Sequence, residues 1–186
     1  MKICLIGQNL TNLILASVFE EKKLNVDIYL NKKIQNIKTN RTIALSSDNF
    51  DYLKFLTKSS IIPWKSKEIK IFIEDSRSKE LISFKKKNKE VFNLITYSKL
   101  NEIFLKIIKK SKFVKFHHLD TSSPIIQKNI KNYDLVINSE NKNFISSKFF
   151  TNKIKKDYRS RAFTFLINHR SIDNIKAIQV FTKFGP

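Results

Sequence analysis

An α/β fold, with a parallel sheet at the amino end and an antiparallel part attached to it, is predicted by three features of this 186-residue chain. Lys2-Ile3-Cys4-Leu5-Ile6 is a short apolar run that stops at Gly7. A helix-periodic stretch over residues 10–19 follows at once, and then a second run, Val26-Asp27-Ile28-Tyr29-Leu30. Strand, glycine turn, helix, strand is a βαβ unit, whose strands are parallel. Farther on, over residues 68–96, the period changes to two, which reads as an antiparallel excursion.

Each element follows from its pattern. In the first helix Leu10, Leu13, Ile14, Ala16, Ser17 and Val18 make a face of small and apolar residues suited to packing on a sheet. Residues 31–40 are a polar connection. Arg41-Thr42-Ile43-Ala44-Leu45-Ser46 leads into a helix over residues 48–56, where Phe50, Leu53 and Leu56 recur at helical spacing and Ser47 or Asp48 can cap. Ile69, Ile71 and Ile73 alternate with Lys70 and Phe72; residues 81–84 and 91–96 are two further short strands. Residues 98–110 form an amphipathic helix with the stripe Leu100, Ile103, Phe104, Ile107 and Ile108. Residues 113–116, 133–137, 162–167 and 177–181 read as strands, those of 162–181 as antiparallel. Trp64, after Pro63, reads as a packing residue.

Composition limits the function. With 41% hydrophobic residues the chain is not compositionally disordered, and its formal net charge is +20. That charge suits an acidic partner, either nucleic acid or an anionic membrane face. The basic residues are nearly all Lys, however, and Asn, Ile and Phe are abundant while Gly numbers 2, the usage of AT-rich coding. The 16 Phe fall mostly in periodic apolar runs and read as core, which speaks against a stacking platform for nucleic acid. Cys4, inside the first strand, reads as a buried packing thiol. His117 and His118 are neighbours in a strand and point to opposite faces, so they are not a ligand pair. With no signal peptide and no long apolar run, the chain reads as cytoplasmic, with peripheral contact at the inner membrane face left open.

Three segments carry a resemblance. The first is the βαβ opening, whose turn reads Gly7-Gln8-Asn9-Leu10-Thr11-Asn12 where a dinucleotide-binding turn has glycine at its first, third and sixth positions. The second is Arg41-Thr42-Ile43-Ala44-Leu45-Ser46, similar to "R-t-i-A-L-S". The third runs from Asp134-Leu135-Val136-Ile137-Asn138-Ser139-Glu140-Asn141, similar to "D-l-v-v-G-A-D-G", to Ala177-Ile178-Gln179-Val180-Phe181-Thr182-Lys183-Phe184-Gly185-Pro186, similar to "A-x-Q-x-F-T-x-x-G-P". In this order they resemble the FAD-dependent aromatic-ring monooxygenases of the ubiquinone-biosynthesis hydroxylase family, over about the first half of a family member.

The resemblance implies a Rossmann-like FAD-binding parallel sheet with the start of an antiparallel substrate-domain sheet, truncated. Residues 1–66 and 97–160 would form the FAD-binding domain, and 67–96 with 161–186 the partial substrate domain. It implies FAD as cofactor, NAD(P)H as reductant and hydroxylation of a polyprenylated phenol, a lipid-like substrate; the flavin does the chemistry while the protein holds and shields it.

The site residues it implies are Gly7, Asn9, Asn12, Asn31, Arg41 and Glu140. Gly7 keeps the tight turn. Asn9 and Asn12 stand where glycines allow backbone to approach the pyrophosphate and helix to pack on strand. Leu30 stands where an acid binds the adenosine ribose, with Asn31 beside it. Arg41 matches an arginine that approaches the flavin or its phosphates, and is expected at the same phosphate-sized hollow as the helix end beyond Gly7. Glu140 is the surviving acid of the second motif, whose glycines are Asn138 and Asn141. These losses weaken flavin binding, so the alternatives are a non-catalytic remnant, a split-enzyme subunit completed by a C-terminal chain, and a basic nucleic-acid-binding protein.

Overall fold

The computed structural model describes residues 1–31, 41–74, 80–87, 89–152 and 174–185, with 154, 156, 157, 159, 161, 163, 165, 167 and 170 between the last two stretches. The chain divides into two compact units, Met1–Thr39 with Tyr97–Thr164, and Asn40–Thr96 with Phe165–Pro186.

In the first unit, β1 (Lys2–Ile6), β2 (Asn25–Leu30), β8 (Val114–His118) and β9 (Leu135–Asn138) form one sheet in the order β8-β2-β1-β9. Every pair is parallel, as the βαβ reading requires. Both faces are covered, which is why β1 and β2 are continuous apolar runs rather than alternating ones. On one face α1 (Leu10–Glu21) packs on β1 and β2 and against α3 (Tyr97–Ile108). On the other, Cys4, Ile6 and Tyr29 pack with Ile126 of α4 (Ile125–Ile130) and Ile145 of α5 (Phe144–Phe149).

The α3 stripe buries Leu100, Phe104 and Ile108 as expected. The short helices α4 and α5 have no counterpart in the sequence reading. Cys4 is fully buried, and burial pushes its thiol up to about 12.

In the second unit, β7 (Phe92–Thr96) lies between β3 (Thr42–Leu45) and β4 (Trp64–Ser66), antiparallel to both. The helix α2 (Ser47–Thr57) buries Phe50, Leu53 and Leu56. Its cap is Ser46, whose Oγ accepts from Asn49 N, one residue before the expected caps. Ser47 instead donates to the Glu90 carbonyl at 2.6 Å.

A separate sheet has the order β10-β5-β6, from β10 (Lys176–Phe181), β5 (Glu68–Ile73) and β6 (Glu80–Lys85). β5 and β6 are antiparallel, as expected. β10 runs parallel to β5, which corrects the antiparallel expectation for residues 177–181. Antiparallel pairing follows from a hairpin between sequence neighbours. Here β6 has the hairpin place, and β10 returns after a crossover long enough to arrive in either direction. The expected strand over 162–167 falls partly on residues outside those described.

Two burial expectations are corrected. Trp64 is exposed, because β4 is an edge strand of only three residues. Phe55, Phe84, Phe149, Phe150, Phe163, Phe165, Phe181 and Phe184 are exposed as well, and of the 16 Phe only Phe50 and Phe104 are buried. Phe55 lies on the outer face of α2, while Phe84 and Phe181 belong to a sheet in which no apolar residue is fully buried.

Candidate functional site

Open parallel sheets bind ligands beyond the carboxyl ends of their strands, where the chain leaves to opposite sides of one strand. In the first unit that strand is β1, between β2 and β9. Gly7 ends it with φ +116°, a conformation that a side chain would strain. A Cβ built on Gly7 would stand 2.7 Å from Glu140 Cγ and 2.8 Å from Ser139 Oγ. Glycine is therefore required here by the turn that follows β9, and the structure does bring Gly7 and Glu140 together.

Asn9 is the N-cap of α1. Its Oδ1 accepts from Asn12 N at 3.1 Å. Its Nδ2 donates to Ser139 Oγ at 2.6 Å and to the Ser139 carbonyl at 3.2 Å. Ser139 Oγ in turn donates to the Ile6 carbonyl at 3.1 Å. Asn12 is fully buried, and its Nδ2 donates to the carbonyls of Ile6 and Gly7 at 3.0 and 2.9 Å. Its Oδ1 is buried with no partner among the described residues, an arrangement that costs about 1–3 kcal/mol where it persists. The Leu10 amide donates to Tyr97 Oη at 3.0 Å. Tyr97 was not among the expected site residues, and no local pattern marks it, since 87 positions separate the partners.

Asn138, in place of a motif glycine, organises the β9 turn. Its Nδ2 donates to the Glu140 carbonyl at 3.0 Å and to Ser146 Oγ at 2.8 Å, and its Oδ1 accepts from Asn143 Nδ2 at 2.8 Å. Ser146 Oγ also donates to the Glu140 carbonyl. Beside this turn is a cavity of about 300 Å³ lined by Asn138, Ser139, Glu140, Asn141, Ser146 and Phe150. Asn31 is exposed at the end of β2, next to the buried Leu30. Arg41 is exposed just before β3, in the second unit.

These residues do not fit a dinucleotide as they stand. Two first-turn amides of α1 already have protein acceptors, Ser139 and Glu140 lie against Gly7, and Leu30 offers nothing to a ribose hydroxyl. The turn geometry is retained, and the space it serves in a nucleotide-binding sheet is filled by side chains.

A second polar cluster went unread in the sequence. Asp27, 7% exposed, sits in the middle of β2 on the Tyr29 face. His117 Nε2 lies 2.8 Å from its Oδ1, Tyr133 Oη donates to its Oδ2 at 2.7 Å, and Lys2 Nζ lies 3.7 Å away. Burial works to raise this carboxyl; the hydrogen bonds from Tyr133 and His117, with the charges of His117 and Lys2, outweigh it and hold Asp27 below the ordinary carboxylate value. Burial first, then the bonds with Tyr29 and Asp27, push the Tyr133 hydroxyl well above the ordinary phenol value. Tyr29 stacks on His117, the ring centroids 5.0 Å apart. The available signal was a carboxylate in the centre of an apolar strand, which must find partners when buried.

The parallel βαβ sheet of the first unit and the mixed sheet of the second belong to a chain whose fold is shared with solved structures of FAD-dependent monooxygenases. Among solved structures, the chain is similar to pqsL of Pseudomonas aeruginosa, a probable FAD-dependent monooxygenase, with 10% identity and a TM-score of 0.50 over 63% of this chain and 32% of that one. It is similar to the same protein in complex with 2-aminobenzoylacetate, with 10% identity and a TM-score of 0.52 over 63% of this chain and 33% of that one. The chain spans about a third of the length of these structures. No family model matches it, and no curated protein does. Among the described residues no group of three or more His, Cys, Asp or Glu could hold a metal ion, and no helix is long and apolar enough to cross a membrane.

Proposed function

We propose that this chain is the nucleotide-side portion of an FAD-dependent hydroxylase that acts on the ring of a polyprenylated phenol in ubiquinone biosynthesis, with NAD(P)H as reductant. It takes up flavin only when a C-terminal portion, supplied by a complementing chain or segment, draws Asn9 away from Ser139 and so opens the cradle. The observation that carries this reading is the parallel sheet β8-β2-β1-β9 with Gly7 at φ +116° between β1 and α1. The segments Arg41 to Ser46 and Ala177 to Pro186 support it, since they stand in family order. Arg41 is the residue proposed to meet the flavin or its phosphates. The high Lys content suits a lipid-like substrate drawn from an anionic leaflet, where each basic residue near the surface contributes about 1 kcal/mol.

The filled space at Gly7 favours a second reading, a non-catalytic remnant of the same fold. Co-expression separates the two. The 186-residue chain alone should purify colourless or faintly yellow. Together with the complementing portion it should carry flavin absorbance and hydroxylate a short-chain prenylated phenol when NAD(P)H and oxygen are supplied. A complemented pair that stays colourless and inactive removes the hydroxylase reading and leaves the remnant.

A further inference from the structure

We infer that Asn9 is a specificity-determining residue that closes this chain's dinucleotide cradle from within. The inference rests on the fold reading above but concerns a single side chain. A pyrophosphate at this position needs free amide hydrogens at the start of α1 and a clear gap between the ends of β1 and β9. Asn9 removes both. Its Oδ1 takes the Asn12 amide, and its Nδ2 reaches across the gap to Ser139 Oγ and the Ser139 carbonyl. Ser139 is itself anchored to the Ile6 carbonyl, so the bridge runs from the helix cap through the β9 turn back to the end of β1. Tyr97 takes the Leu10 amide from the other side.

Asn9 has φ −139° and ψ 167°, extended backbone that any residue adopts. No backbone constraint therefore calls for asparagine here. What distinguishes it from the glycine of a dinucleotide turn is the side-chain bridge, and glycine can form neither of its bonds. Serine can still cap the helix, but it has no donor long enough to reach Ser139.

The test is calorimetric titration of ADP, and separately of FAD, into the full 186-residue chain and two variants. ADP carries the adenosine and pyrophosphate without the flavin. The unmodified chain should give no measurable ADP binding. Asn9→Gly and Asn9→Ser should both bind ADP measurably, about tenfold or more tighter than the detection limit that bounds the unmodified chain, the worth of one released hydrogen-bonded contact. The ribose acid is missing from all three proteins, so its absence cancels in the comparison.

Circular-dichroism melts establish that the variants are folded, and Asn9→Ser preserves the cap if Asn9→Gly frays α1. Stoichiometric binding of FAD by the unmodified chain, or equal ADP affinity in all three folded proteins, overturns the inference, whatever the complemented pair does. Variants that gain ADP while the complemented pair never hydroxylates leave the role of Asn9 standing and remove the proposed function.

Discussion

The sheets β8-β2-β1-β9 and β10-β5-β6 are built from similar residues and are buried very differently. In the first, Ile3, Cys4, Leu5 and Ile6 of β1 and Val26, Ile28 and Leu30 of β2 are at most 1% exposed. In the second, every residue of β6 is exposed, and Ile73, Ile82, Phe84 and Phe181 keep 37–49% of their surface. From the strand register, Ile69, Ile71, Ile73, Ile82, Phe84 and Phe181 all lie on one face. The opposite face carries ion pairs, with Lys70 beside Glu68 and Glu80 and Lys176 beside Glu68. Alternation therefore placed the isoleucines of β5 on one face correctly, although in β10 Gln179 falls on that face and Ile178 and Val180 on the other, while burial of the isoleucine face needs a layer that the described residues do not supply. Strand pattern is a local property. Core membership depends on what else packs there.

The largest effect that this contrast predicts is on truncation of a phenylalanine. Phe104 of α3 is fully buried. Phe104→Ala should destabilise the chain by about 3–5 kcal/mol through lost transfer energy and the cavity left behind. Phe84→Ala in β6 should change stability by less than about 0.5 kcal/mol. Urea unfolding of both variants measures the difference, and equal costs would show that β6 is buried in solution.

Next in size is the polar cluster. Asp27 ties all four strands of the first sheet together, through Lys2 of β1, His117 of β8 and Tyr133 just before β9. Asp27→Asn removes the charge that these donors face, at a cost of about 1–3 kcal/mol. The pH dependence has a definite sign. The folded-state value of Asp27 is depressed, so its contribution is fully present above the ordinary carboxylate value of 3.8 and is lost as pH falls through the lower folded value. Stability of the unmodified chain, measured from neutral pH into that acid range, should fall more steeply than that of Asp27→Asn. Parallel curves would mean that the carboxylate is not coupled to folding.

How legible these features were in the sequence follows from the kind of signal each depends on. β1, α1, β2 and α3 were readable because burial on one face or both writes a periodic or continuous apolar run. α4 and α5 were not, since six residues are fewer than two helical turns and give no period to detect. At the candidate site, Gly7 was legible as a turn glycine and Glu140 as the acid of a motif. The closure by Asn9 was not, because its partner Ser139 lies 130 residues away. Polar pairing leaves no periodicity, and an asparagine in a glycine motif reads first as a loss, whereas in the folded chain it makes new bonds. Asp27 was visible in the second strand, but its partners at His117 and Tyr133 were fixed only by the strand order β8-β2-β1-β9.

The smallest expected effect on stability belongs to the sheet edge. In the order β10-β5-β6, β6 is an edge strand with exposed Leu81, Ile82 and Phe84. A flat apolar edge is a template for pairing with another chain. A lysine on such an edge opposes pairing, because association would bury its charge. Ile82→Lys should therefore leave the unfolding free energy from urea titration nearly unchanged, within about 0.5 kcal/mol, and reduce self-association of the chain. Light scattering across a concentration series reads the second effect. If the unmodified chain is already monomeric at high concentration, the β6 edge is protected, and the contrast between the two sheets does not extend to how the chain behaves in solution.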